Sequence, residues 1–243
     1  MLIEYKEIFD ELNSKEVFHF GSYISGSQYL KAYELVKAYT KIHSNVLDWG
    51  SGSGHFSYFL LKQEYNVSAF TIEQKINLGD FLQVSFPDKY KALVNQDPLA
   101  PLPFDIETFD TVVSIGVLEH MRDTGNNEIN SLNEIRRILK PNGVFVCYHF
   151  PNRFSWIETI TKHLDSKYNH SFKYNLKDIK SLTTKCNLKL LEYGRYGILP
   201  RNTFRRWQNN ILLTKLFNLI DSSLSFLLNP ICQNFYFVAK KNE

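Results

Sequence analysis

A chain of 243 residues with 44% hydrophobic and 15% aromatic side chains can bury a sizeable core, well away from disordered composition. Its formal charge of +3 is too small to make nucleic acid a general partner. Three widely spaced cysteines, Cys147, Cys186 and Cys232, make neither a metal spacing nor a disulfide framework, which favours a reducing cytoplasm.

The opening residues, Met1 to Glu7, lack a basic-then-apolar leader pattern, and no uninterrupted apolar stretch is long enough to span a bilayer. A cytoplasmic protein is expected, either soluble or peripheral to a membrane. A helical N-terminal segment, 1–43, gives way to short β-rich runs alternating with helical patterns, the signature of a doubly wound parallel sheet. Strands are expected over 45–48, 67–72, 92–95, 111–115, 144–149, 188–193 and 235–239, and helices over 28–42, 55–64, 74–86, 126–139 and 176–186. The fourth helix has a clear end: Arg136, Arg137 and Lys140 suit its negative pole, and Pro141 and Gly143 stop it.

The first strand leads into Asp48-Trp49-Gly50-Ser51-Gly52-Ser53-Gly54, then into an apolar helix. Glycines at alternate positions allow a tight turn and close approach of backbone to a ligand. A dinucleotide fingerprint places its third glycine three positions after the second, and here it comes after two. Asp48 at the strand end would repel a pyrophosphate but suits an ammonium, a sulfonium or ribose hydroxyls. The spacing favours a cationic nucleoside.

Further runs follow in order: Glu73 after Val67–Ile72, Asp97 after Ala92–Gln96, Leu102-Pro103-Phe104 before Phe109–Ser114, Leu118-Glu119-His120, and Leu139-Lys140-Pro141-Asn142-Gly143. With these runs the chain resembles the class I S-adenosylmethionine-dependent methyltransferases that modify small molecules, well over 42–150 and elsewhere in element order only. The resemblance implies a Rossmann-like α/β fold over 1–243: a seven-stranded, mostly parallel sheet whose last strand is antiparallel. Segments 152–172 and 198–232 exceed what a bare sheet needs, and lie where they can close over substrate as helical insertions.

The resemblance also implies site roles. Asp48 and the turn Gly50, Ser51, Gly52 and Gly54 would face the methionine and ribose of S-adenosylmethionine. Glu73, with Gln74 beside it, would accept the ribose hydroxyls, and Asp97 the adenine amino group. Ile115 and Gly116 would offer backbone groups to the methionine moiety. Pro98 departs from the family pattern because it lacks the N–H that often meets the ring, so either Leu99 supplies it or that bond is missing.

Methyl transfer from a sulfonium needs alignment and, for hydroxyl or amine acceptors, removal of a proton. Glu119, His120 and His149 are the candidates. Glu119 and His120 serve equally well as helix caps, while His149 alternates with apolar residues, favouring a satisfied strand-end histidine. His19, His43, His163 and His170 are expected at the surface or in packing. Some resembling methyltransferases hold a divalent metal with Glu-x-x-Glu-His, but Gly116 replaces the first acid, so no metal is expected. Arg201, Arg205, Arg206 and Trp207, beside an apolar helical run, can meet an anionic acceptor or lipid headgroups, but core packing or a dimer interface is the favoured reading. The leading expectation is methyl transfer to an oxygen or nitrogen of a sugar, lipid or quinone precursor. The alternatives are an NAD-dependent oxidoreductase and a non-catalytic binding subunit; the acceptor and the oligomeric state are left open.

Overall fold

The computed structural model describes residues 2–164 and 170–242, apart from the side chains of His163 and Leu164. Three helices, α1 (Lys6–Ser14), α2 (Tyr23–Gly26) and α3 (Leu30–Tyr39), precede the first strand. There follow β1 (Asn45–Trp49), α4 (His55–Lys62), β2 (Asn66–Thr71), α5 (Gly79–Ser85), β3 (Tyr90–Val94) and β4 (Phe109–Ile115). The remainder comprises α6 (Glu128–Ile138), β5 (Leu139–Pro151), α7 (Trp156–Leu164), α8 (Leu176–Lys185), β6 (Leu188–Tyr196), α9 (Ile211–Leu227) and β7 (Asn234–Lys241).

The strands form one seven-stranded sheet in the order β3-β2-β1-β4-β5-β7-β6, and β7 runs antiparallel to both neighbours. The expected α/β architecture is therefore present. Order reverses between β1 and β4, so the crevice outside their carboxyl ends is where an open α/β sheet receives ligands.

Alternation along each strand divides the core. Val46, Val67, Val113, Val146 and Val238 face α1, α3 and α4, whereas Leu47, Phe70, Val112, Phe145 and Phe237 face α6 and α8. Aromatic rings fill the first layer: Tyr33 stacks on Phe59 at 3.7 Å, with Tyr5 edge-on to both.

Several boundaries differ from the sequence reading. The helix expected over 74–86 is only α5, because 74–78 packs on the glycine turn instead: Leu78 N–H donates to the Ser53 carbonyl at 3.0 Å. The helix expected over 28–42 is shortened to α3, preceded by a 3₁₀ turn over Ser27–Tyr29. α4 stops two residues early because Glu64 turns left-handed at φ +65°. β5 begins before the expected 144–149 because Leu139 pairs with Phe109. Segment 165–169 of the first insertion and the side chain of His163 lie outside the described residues; the second insertion, 198–232, contains α9.

Candidate active site

Three glycines make the turn between β1 and α4, all with positive φ: +78° at Gly50, +48° at Gly52 and +85° at Gly54. Their surroundings differ. A Cβ on Gly50 would fall 2.3 Å from Val117 Cγ2, and one on Gly54 would fall 2.9 Å from Ile76 Cγ2. A Cβ on Gly52 would meet nothing nearer than 3.9 Å, so only this residue presents its backbone to open space. The Phe70 carbonyl accepts the Gly50 and Ser51 N–H groups at 2.8 and 3.0 Å, tying the turn to the end of β2.

Asp48 lies beneath this turn rather than in the crevice. It is 1% exposed and accepts the Ser57 hydroxyl of α4 at 2.6 Å. Burial pushes its carboxyl up to about 6. Glu73 is different: it is exposed, its N–H donates to Thr71 Oγ1, and its carboxylate has no hydrogen-bond partner among the described residues. Gln74 is exposed beside it.

Asp97 is exposed beyond β3 and its Oδ1 accepts the Leu99 N–H at 2.9 Å, so the amide expected to compensate for Pro98 is already engaged within its own turn. Pro98 is half-buried, and its carbonyl accepts from Asn126 Nδ2 at 3.0 Å. At the end of β4, Ile115 and Gly116 are half-buried, and the Gly116 N–H is held by the Tyr148 carbonyl at 2.9 Å.

His149 sits at a bulge in β5 with φ +66°, half-buried. Its backbone N–H donates to Tyr196 Oη at 3.0 Å, and Tyr196 Oη lies 2.8 Å from His149 Nδ1. With the hydroxyl donating to Nδ1, the ring proton stands on Nε2, leaving that nitrogen as the imidazole's donor. Burial pushes its pKa down to about 3, which disfavours a proton-accepting role.

Glu119 and His120 lie on a 3₁₀ turn after β4. Glu119 is buried, its Oε2 has no partner among the described residues, and burial raises its carboxyl to about 8. His120 is exposed, with Nδ1 3.0 Å from Asp123 Oδ2. His170 is half-buried: its Nδ1 lies 2.5 Å from buried Glu158, and its ring centroid is 5.5 Å from that of His120. Sequence reasoning missed this group because 50 positions separate His170 from His120.

It also missed an aromatic wall supplied by the N-terminal segment. Tyr29 stacks on Phe20 at 5.4 Å and spans the space between His55, at 4.7 Å, and His149, at 5.4 Å. His55, directly after the glycine turn, is pushed down to about 3 by burial. Its place after Gly54 was a usable signal, since the first residue of that helix must flank any ligand on the turn. His19 also approaches Tyr29, whereas His43 is exposed. Arg201 leaves the expected cationic cluster: it is clamped to Asp221 at 2.6 Å and to Ser27.

Comparison with known proteins gives three findings. Residues 47–147 match the methyltransferase domain family. An uncharacterized protein of Methanocaldococcus jannaschii is 38% identical over 101 residues, 42% of this chain and 38% of the relative; an uncharacterized chloroplastic methyltransferase of Arabidopsis thaliana is 29% identical over 128 residues, 49% of this chain and 35% of the relative. The chain thus matches little more than a third of the length of these curated relatives. Among solved structures, the 1,6-didemethyltoxoflavin-N1-methyltransferase of Burkholderia thailandensis, holding its substrate and S-adenosylhomocysteine, superposes with a TM-score of 0.62 at 14% identity, covering 100% of this chain and 91% of that one. The match over 47–147 spans the glycine turn, Glu73, Asp97 and Glu119-His120, and over this stretch the chain is similar to the methyltransferase domain.

Proposed function

We propose that this chain binds S-adenosylmethionine across the ends of β1–β3 and methylates an oxygen or nitrogen of a small molecule held against β4–β6. The observation that carries this reading is the open, left-handed Gly52 beyond the end of β1 together with the exposed Glu73 carboxylate beyond the end of adjacent β2, which has no hydrogen-bond partner among the described residues. A backbone cradle and a carboxylate acceptor suit a nucleoside with two ribose hydroxyls. When bound, the cofactor supplies an activated methyl group on a sulfonium.

The chain's own residues would do the rest. Asp48, fixed by Ser57, holds the turn in shape, and Asp97 lies where the adenine amino group can donate. Tyr29 brings a π-face near the position of a sulfonium, a favourable arrangement for a cation. His149 donates to the acceptor from Nε2, and the Glu119–His120 corner receives the acceptor atom that must lose a proton. Calorimetry with S-adenosylhomocysteine and NADH is the direct test: binding of NADH alone points to an oxidoreductase, and binding of neither to a non-catalytic subunit.

We further read the acceptor as apolar and met at a lipid surface. α9 is inverted: Thr214, Asp221 and Ser225 face inward, whereas Leu212, Leu219 and Phe226 are 77%, 65% and 83% exposed. Asp221 accepts the Ile198 and Leu199 N–H groups and pairs with Arg201, so the exposed charges over 198–232 are the cations Arg206 and Lys215, with half-buried Arg205 stacked on Phe18. An apolar face flanked by cations and by half-exposed Trp207 suits an anionic membrane surface. No described helix is long and apolar enough to cross a membrane. Flotation with phosphatidylglycerol vesicles should recover the chain, and Leu219→Ser with Phe226→Ser should abolish recovery. If those changes instead dissociate a dimer without affecting flotation, α9 is a subunit interface.

A further inference from the structure

We propose that Glu119, His120 and His170 form a binding site for a divalent transition-metal ion of the zinc class. The site deepens the methyl-transfer reading of this corner, and its role in acceptor binding rests on that reading. One ligating atom from each residue lies within 4.8 Å of the others. Two imidazoles and a carboxylate match the donor preference of such ions and leave a coordination position open. Tetrahedral donors around zinc stand about 3.3 Å apart, so the cluster must close slightly, which rotation of the incompletely buried imidazoles provides.

Three features point to a ligand here rather than to chance proximity. The first is Glu119 Oε2, inside a residue only 2% exposed, which meets no donor among the described residues. Such an atom is costly to bury alone, and a cation would satisfy it. The second is the outer arrangement. A carboxylate holds Nδ1 of each imidazole, Asp123 for His120 and Glu158 for His170, which keeps the proton on Nδ1 and the Nε2 lone pair available. Lys173 occupies the other oxygen of Glu158 at 3.2 Å.

The third is position. Glu119 Oε1 and His149 Cβ lie 3.7 and 3.8 Å from where a Cβ on Gly116 would stand, so the cluster adjoins the end of β4. His170 also lines a cleft of about 1080 Å³ between α6 and α8, which gives an ion a route in. The open coordination position would take an acceptor hydroxyl or enol oxygen, lowering its pKa before attack. The sequence counted a lost ligand at Gly116; the fold brings His170 in from another segment.

The test uses the full chain, free of any affinity tag, titrated with Zn²⁺, Mn²⁺ and Co²⁺ separately by calorimetry. The parent should bind one equivalent of at least one of these ions. Glu119→Gln and His170→Ala should each weaken binding by 10-fold or more, while exposed His43→Ala should not change it. Glu158→Gln, which keeps the residue's size but loses the carboxylate that holds His170 Nδ1, should weaken binding 10- to 100-fold. The Co²⁺ protein should show visible absorption of a low-coordinate site. Circular dichroism identifies any variant that fails to fold, and His170→Gln then replaces His170→Ala. Absence of binding by all three ions, or binding that survives both Glu119→Gln and the His170 change, overturns the site. S-adenosylhomocysteine titrated into the same samples separates the two ideas: metal binding without nucleoside binding supports the site and removes methyl transfer, and the reverse removes the site alone.

Discussion

The two ends of the crevice are built differently. At β1–β3, candidate groups come from short contiguous runs, and much of what they offer is backbone: Gly52 faces open space, and Glu73 and Asp97 stand at strand ends. At β4–β6, the groups are side chains gathered from Glu119, His149, His170 and Tyr196, each on a different element or connection. A backbone cradle needs only local geometry, so it can be written in a few consecutive residues. A side-chain pocket is defined by what the insertions bring to it, and can change without disturbing the cradle.

The strongest way to break this comparison is at Gly50. Gly50→Ala combines a left-handed φ with a collision against Val117, and should weaken S-adenosylhomocysteine binding at least 100-fold in calorimetry while lowering the melting temperature. Gly52→Ala has room for its methyl and should cost binding but only about 1 kcal/mol of stability. Equal loss of stability in the two variants would contradict the separate roles assigned to them.

Asp48 tests whether the cradle is held from below. Its carboxyl is raised on folding, so its contribution is fully present below the unfolded pKa and is lost as pH rises through about 6. Urea unfolding of the ligand-free chain should show a fall of roughly 3 kcal/mol from this group between pH 4 and 7. Asp48→Asn should flatten that slope while keeping Ser57 as its donor. An unchanged slope would show that Asp48 is solvated.

Glu73→Ala should weaken nucleoside binding about 10-fold, the scale of a hydrogen bond to a charged acceptor, with no change in melting temperature. Unchanged affinity removes Glu73 from the cradle. The smallest effect is expected at Tyr196→Phe, which removes the hydroxyl from His149 Nδ1 and leaves it only Asn234 at 3.5 Å; turnover should fall about 3-fold with cofactor affinity intact, about 0.7 kcal/mol. A fall in cofactor affinity instead would join the two ends of the crevice into one unit.

Much of the sheet was legible in the residues. Seven β-rich runs between helical patterns predicted all seven strands, since apolar alternation and strand-end acids are local signals. The boundaries of α5 and β5 were not. Residues 74–78 have helical spacing but gain more by covering the glycine turn, and Leu139 extends β5 only because Phe109 lies beside it. Cysteine and charge counts said nothing of α9, whose inversion depends on Asp221 finding two backbone amides and Arg201.

The sequence alone determined the order of strands along the chain, the glycine turn and the acids that follow β2 and β3, because each depends on neighbours a few residues apart. Only the tertiary structure decided that Asp48 is covered, that Tyr196 Oη reaches His149 Nδ1, and that His170 joins Glu119. Those facts depend on burial and on atoms brought within hydrogen-bonding distance across the fold, and neither is a property of any short stretch of chain.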